Sequence, residues 1–435
     1  MPAEPTLAPV PDADRLPALD LIRGVALLGI LFVNIQVFGE TFGSYMRMTP
    51  EPEQGLPGAI SFYFVKLFCE SRFYTIFSML FGVGLALQWT RARAQGRAYT
   101  GVGVRRMLCL MVIGLVHALG MWFGDILFTY SIAGLLTIPF LKCRPRTLVT
   151  VAVSILVFSA FLGAAFMTFS KPGAIAAADP TALAQVDQSL PSFERLMQGF
   201  RVNAVPGGPE DPLWVSTETE AMRDGPYLQA FLFRAMSFGI ILVVELLGMG
   251  WGIWAMFLLG VALLKSGYFT AAAAAWHRRS AVLGLGIGVP MIVGFAVLTA
   301  SEQPRLVTFA AIILHNVGAV VMSFGYLGVL MLLAHSGALT AVKGAIARVG
   351  RMGLTNYLLE SVIATAIFYH WGLAKFGETT RLERMGMVLG IYGVLVVFSA
   401  LWLKVFRYGP MEWLWRSVTY LRAQPMLKAR GAVGN

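Results

Sequence analysis

Two side chains eight positions apart, His117 and Asp125 in Gly-Leu-Val-His-Ala-Leu-Gly-Met-Trp-Phe-Gly-Asp-Ile, are the pair in this chain best suited to moving a proton. An imidazole titrates near pH 6.5 and can act as a base at neutral pH, while a carboxylate can orient it or stabilise its charged form. A bland reading stands beside this one: Asp125 caps the helix that follows and His117 bonds a backbone carbonyl. Asn34 cannot titrate but can hold or polarise a carbonyl, and it is expected with these two in an outer polar cluster. A second group could bind an anion. Asp20 and Arg23 are three apart and can pair, and the eleven residues from Arg23 to Asn34 bring both to one helix face about 16 Å apart. Arg105, Arg106 and Arg351 are further cations at the same level as Arg23. Asn356 and Glu360, four apart, share one face above Arg351. Glu245, His315 and Asn316 also lie in apolar stretches. An ionisable group there costs roughly 2.5 to 3.5 kcal/mol, so each needs a partner, a wet cavity or a function.

The elements that must hold these residues are membrane helices. The chain of 435 residues is 57% hydrophobic and only 13% charged, with a mean hydropathy of +0.70. That excess of apolar side chain has no place on a water-facing surface. Apolar stretches able to cross a hydrocarbon core of about 30 Å fall near 21–38, 73–90, 104–122, 126–141, 148–169, 238–264, 281–300, 306–333, 353–371 and 385–406. The fold class is therefore all-α, a polytopic membrane bundle of about ten transmembrane helices. Basic residues recur in alternate connections: Arg91, Arg93, Arg97, Arg105 and Arg106, then Lys142, Arg144 and Arg146, then Lys265, Arg278 and Arg279, then Lys343, Arg348 and Arg351, then the tail. By the positive-inside rule both termini are cytoplasmic. Topology thus accounts for the net charge of +11 without nucleic acid, and the expected partner is a lipid bilayer. Residues 1–16 read as a cytoplasmic leader without the basic start of a signal peptide. The bundle covers 17–406 and an interfacial cytoplasmic tail 407–435, where Glu412 and Arg416 can pair. The loop of about 170–228, with eight acidic and four basic residues, is expected outside as a small cap or a lid. Residues 57–72 read as an interfacial or re-entrant lead into the second span. Met79-Leu-Phe-Gly-Val-Gly and Met256-Phe-Leu-Leu-Gly-Val echo one another, by duplication or by coincidence of common membrane residues. The three cysteines lack metal or disulfide spacing, and no metal site is expected. Walker, Rossmann, HExxH and nucleophile-elbow motifs are absent.

The strings LDLIRGVALLGILFVN, FSMLFGVGLAL, HALGMWFGDIL, GRMGLTNYLLESV and GPMEWLWR, in that order over nearly the whole chain, resemble the YeiB-like bacterial membrane proteins, domain of unknown function 418. That resemblance implies a multi-pass protein of the bacterial inner membrane. The first-span pattern is also similar to the acyltransferase-3 and heparan-alpha-glucosaminide N-acetyltransferase types of transmembrane acyltransferase. It implies an acyl-CoA donor on the cytoplasmic side and a glycan or lipid-linked acceptor. In acyltransferase-3 proteins the Arg is followed eleven positions later by a His. Arg23 matches, Asn34 stands at the His position, and no His lies between Asn34 and His117. His117 with Asp125 is then the replacement that this chain's own residues offer, and not one that the resemblance supplies. Three readings stay open: O- or N-acyl transfer, transport or export of a small molecule through a polar cavity, and a non-catalytic membrane scaffold. A closed cytoplasmic pocket beside Arg23 favours the first, and a pseudo-symmetric cavity at the midplane favours the second. Oligomeric state is not legible in the sequence.

Overall fold

The computed structural model describes residues 16–169, 180–205, 208–301 and 303–428. All but Leu16 of the expected leader, and the end of the tail, lie outside these residues. Among the described residues, ten helical rods build the bundle: α1 (Pro17–Gly39), α2 (Arg72–Ala94), α3 (Thr100–Gly120), α4 (Leu127–Lys142), α5 (Pro145–Phe169), α6 (Tyr227–Val244 and Gly250–Lys265), α7 (Ala274–Thr299), α8 (Arg305–His335), α9 (Gly353–Phe368) and α10 (Arg381–Val405). The halves of α6 run on through the π-helical turn Glu245–Met249. The protein is an all-α polytopic membrane bundle, as composition demands. Its surface shows the same logic. Val153, Val157, Phe158 and Phe161 on α5, Val282, Ile287 and Val297 on α7, and Leu389, Val394 and Leu401 on α10 are exposed, whereas Arg72, His117, Asp125, Asn356 and Glu360 are buried. Apolar side chains face the hydrocarbon and polar ones are kept from it.

The rods are unequal, and the inequality positions the site. At 16 residues each, α4 and α9 are about 24 Å long, short of a full crossing. Because α4 starts late, the turn from α3 sinks into the protein and takes Asp125 with it, leaving that residue 2% exposed. The lead into α2 is helical over Gly55–Phe64, continues as a π turn over Val65–Cys69, and breaks at Ser71, whose φ of 68° lies in the left-handed region. The echoed segments of α2 and α6 pack on each other reciprocally. A Cβ at Gly82 would meet the carbonyl oxygen of Phe257 at 2.1 Å, and one at Gly260 that of Met79 at 2.0 Å. The shared glycine thus lets two helix backbones touch.

Within the loop after α5, the helices Ser192–Arg201 and Pro212–Arg223 form a cap. Trp214, Leu196 and Met222 of the cap join Phe38, Trp122, Phe233, Phe368 and Tyr369 of the bundle in one apolar cluster. Glu218 ties the cap to the exit of α1. It accepts from the Trp214 indole at 2.8 Å and the Phe42 backbone N–H at 3.3 Å, and burial pushes its carboxyl up to about 7 against those two donors. Between roughly pH 4.5 and 7 the folded cap holds a proton that the unfolded chain releases, so stability falls as pH rises through that window and is level above it. The difference amounts to up to about 3 kcal/mol. We expect hydrogen exchange at Phe42 to quicken from pH 5 to pH 8 and Glu218→Gln to flatten the profile. A wild-type profile already explained by intrinsic exchange alone would refute the assignment.

Candidate functional site

His117, Asp125 and Ser361 form a linear hydrogen-bonded array. Nδ1 of His117 lies 2.7 Å from Oδ2 of Asp125, and Nε2 lies 2.8 Å from Oγ of Ser361. The three residues are 2%, 2% and 1% exposed. A carboxylate can only accept, so Nδ1 carries a proton; when the ring is neutral, Nε2 presents its lone pair and the Ser361 hydroxyl donates to it. The other carboxylate oxygen, Oδ1, accepts from Phe128 N at 2.8 Å at the start of α4. Asp125 therefore caps a helix and orients the imidazole at once. A bond from Ser361 to the Tyr357 carbonyl, the usual resort of a helical serine, is long at 3.5 Å. Around the ring stand Tyr357, with centroids 5.3 Å apart, and Trp122 at 6.5 Å, whose buried indole N–H has no hydrogen-bond partner among the described residues.

A cavity of about 200 Å³ opens at the basic end of the bundle and runs toward this array. Its lining extends from Leu16, just before α1, to Ile30 on that helix, and from Phe77 to Arg91 on α2. Fourteen residues of helix make it about 21 Å long. At the basic end it is walled by Asp20, Arg23, Arg91, Arg106, Arg351, Glu412 and Arg416; at the far end by Ile126 and Tyr357. Ser361 lies one helical turn past Tyr357. Arg23 pairs with Asp20 at 2.8 Å, Arg106 lies 3.5 Å over the Trp415 ring, and Arg351 donates to the Arg407 carbonyl at 3.0 Å. The tail helix Pro410–Thr419 closes one side. There Glu412 accepts from Leu354 N at 2.7 Å and Thr355 N at 3.1 Å, capping α9 from a distance, and burial raises its carboxyl. The tail is thus bonded to the helix that carries Ser361.

The structure brings together His117 and Asp125, and in the cavity Asp20, Arg23, Arg106 and Arg351. Other expected site residues lie elsewhere. The cavity lining on α1 stops at Ile30, so Asn34 is beyond it, half-buried and without a hydrogen-bond partner among the described residues. Arg105 donates to the Thr419 carbonyl at 3.2 Å outside the cavity. Asn356 spends its amide on the Val349 carbonyl and Ser399 Oγ, each at 2.9 Å. Glu360 is buried with neither carboxyl oxygen bonded among the described residues. Glu245 accepts from Thr129, and His315 lies 3.5 Å from Arg72. Sequence reasoning left out Ser361, which no local spacing ties to His117, and Glu40, which lies 3.0 Å from both Arg381 and Arg384 at the C-terminal end of α1.

Fold and site together define a multi-pass membrane protein with a hydroxyl, an imidazole and a carboxylate aligned past the end of an arginine-lined cavity. Its relatives place it more closely. Residues 263–422 match the family described as "Protein of unknown function (DUF418)". The chain is 30% identical to the uncharacterized protein YxaH of Bacillus subtilis over 97% of its own length and 98% of the relative's. It is 29% identical to the uncharacterized protein YeiB of Escherichia coli over 95% and 98%. A protein of Bacillus acidopullulyticus, the uncharacterized 39.9 kDa protein in the amylase 3' region, is 27% identical over 98% and 99%. The chain belongs to the DUF418 family, with YeiB among its relatives. Ser361, Tyr357, Arg351 and Glu412 fall within the matched residues, His117 and Asp125 before them.

Proposed function

We propose that this protein is an acyltransferase of the bacterial inner membrane. It takes an acyl group from cytoplasmic acyl-CoA and passes it to a glycan or lipid-linked acceptor at or beyond the outer half of the bilayer. The observation that carries this reading is the cavity, which begins among arginines and ends one helical turn short of an aligned Ser361, His117 and Asp125. Five arginines at the basic end suit the phosphates of CoA, and their number there agrees with a cytoplasmic face by the positive-inside rule. The apolar remainder is a slot for a chain rather than for a nucleotide, so the adenosine end stays at the mouth and the thioester enters. Tyr357 stands between that slot and Ser361, and rotation of its side chain admits the carbonyl. On the acceptor side, neutral His117 takes the proton of the attacking group, with Asp125 stabilising the imidazolium. A cavity whose cations gather beside Arg23 at the basic end supports transfer over transport.

The test uses purified protein in membrane vesicles of known sidedness. Acyl-CoA bound to the basic face should release free CoA thiol in inside-out vesicles and not in right-side-out ones. Arg106→Gln, which removes one cation from the cavity, should weaken donor binding about 10- to 100-fold while leaving turnover at saturation within about 3-fold, in line with a charge-assisted contact of about 1.5 to 3 kcal/mol. Solute flux in proteoliposomes with no binding of acyl-CoA from either side would replace this reading with transport.

A further inference from the structure

Resting on that reading, we infer that Ser361 is the nucleophile of a two-step, double-displacement transfer, so that the acyl group crosses from donor to acceptor by way of an ester on the protein. Three observations carry it. The Ser361 hydroxyl is bonded to Nε2 of His117 at 2.8 Å and the Nδ1 side is held by Asp125 at 2.7 Å, which is the relay that turns a weak alcohol into an attacking oxygen. Ser361 is on α9, one helical turn past Tyr357, which lines the far end of the cavity, so the donor side is the nearer approach to it. The Trp122 ring lies 6.5 Å from the imidazole, centroid to centroid, and its buried indole N–H has no partner among the described residues, leaving a donor near the array for a developing oxyanion.

In the first step Ser361 Oγ attacks the thioester carbonyl as its proton passes to Nε2 of His117. The tetrahedral centre collapses, the C–S bond breaks, and the sulfur leaves with the proton from His117, giving an acyl ester on Ser361 and free CoA. In the second step His117 takes a proton from the acceptor hydroxyl or amine, whose oxygen or nitrogen attacks the ester. The C–Oγ bond breaks and Ser361 recovers its proton. No net change in oxidation state occurs and no further reagent is consumed. The arrangement has a chemical advantage in a membrane, because CoA never leaves the cytoplasmic end. Only the acyl group moves through the protein.

The full-length protein in lipid nanodiscs is treated with a fluorophosphonate probe and, separately, with acetyl-CoA or octanoyl-CoA followed by rapid acid quench, and the peptide containing Ser361 is weighed by mass spectrometry. We expect a phosphonate adduct and an acyl ester on Ser361 in the wild type, a thioester in Ser361→Cys, and neither adduct in Ser361→Ala, whose turnover should fall at least 100-fold with donor affinity within about 3-fold. Turnover of acyl-CoA with no adduct and with Ser361→Ala near wild-type rate would overturn the nucleophile and leave acyl transfer standing, by direct attack of the acceptor. A phosphonate adduct without any acyl-CoA turnover would support the nucleophile and overturn the choice of donor. Absence of both adducts and of turnover would overturn both.

Discussion

If the protein transfers acyl groups as proposed, Asp125→Asn should lower acyl-CoA turnover by about 10³- to 10⁴-fold while donor affinity and insertion into the membrane are retained. The size of the effect follows from the two bonds Asp125 makes. Its Oδ1 accepts from Phe128 N at 2.8 Å and its Oδ2 faces Nδ1 of His117 at 2.7 Å. An asparagine has one oxygen. Keeping the cap on α4 turns that oxygen to Phe128, which leaves the amide NH₂ against Nδ1. Nδ1 must then accept, the ring proton moves to Nε2, and the imidazole offers Ser361 a donor where a base is needed. Stability changes little, within about 1 kcal/mol, because both contacts remain hydrogen bonds. His117→Gln should match the loss of turnover, and the double variant should lose no more than either alone, as expected for groups that act as a unit. Steady-state release of CoA thiol and thermal melting of the purified protein measure the two quantities. Turnover in Asp125→Asn within about 10-fold of wild type would return Asp125 to helix capping alone.

The helical rods were legible because length and hydropathy are local properties. So was the pairing of His117 with Asp125, which needs only the turn between α3 and α4 to fold back. Ser361 was not legible: it stands 244 positions from its partner, and in a membrane helix a serine reads as a small packing residue. Asn34 shows the limit of helix geometry. Eleven residues do place it on the same face as Arg23, yet a shared face is a shared cavity only as far as the neighbouring helices leave space, and on α1 that space ends at Ile30. Glu412 read only as able to pair with Arg416, because its acceptor role depends on α9, nearly sixty residues upstream. The chemistry of each group was legible throughout; long-range pairing was not.

The cavity itself depends on one close approach, and two glycines of the same amphipathic helix, Thr340–Arg351, should respond in opposite directions. This helix lies across the start of α1 and ends at Arg351, a wall of the cavity. A Cβ at Gly350 would come within 1.9 Å of the Asp20 carbonyl oxygen and 2.6 Å of Gly24 N, both backbone atoms of α1 that no rotamer change can move. At Gly344 nothing lies within 4 Å. Gly344→Ala should therefore stabilise by up to about 1 kcal/mol through helix propensity alone. Gly350→Ala gains the same propensity but must part the two helices by roughly 1 Å or more to reach an ordinary contact, and overpacking of this kind costs about 1 to 3 kcal/mol or more. Parting them displaces Arg351 from Asp20 and Arg23 across the mouth, so donor affinity should fall by at least about 10-fold in Gly350→Ala and stay unchanged in Gly344→Ala, a loss of the size expected when one charge-assisted contact goes. Melting temperature and acyl-CoA binding on the two variants, prepared side by side, decide it. Equal donor affinity in both would mean that the approach of this helix to α1 does not shape the cavity.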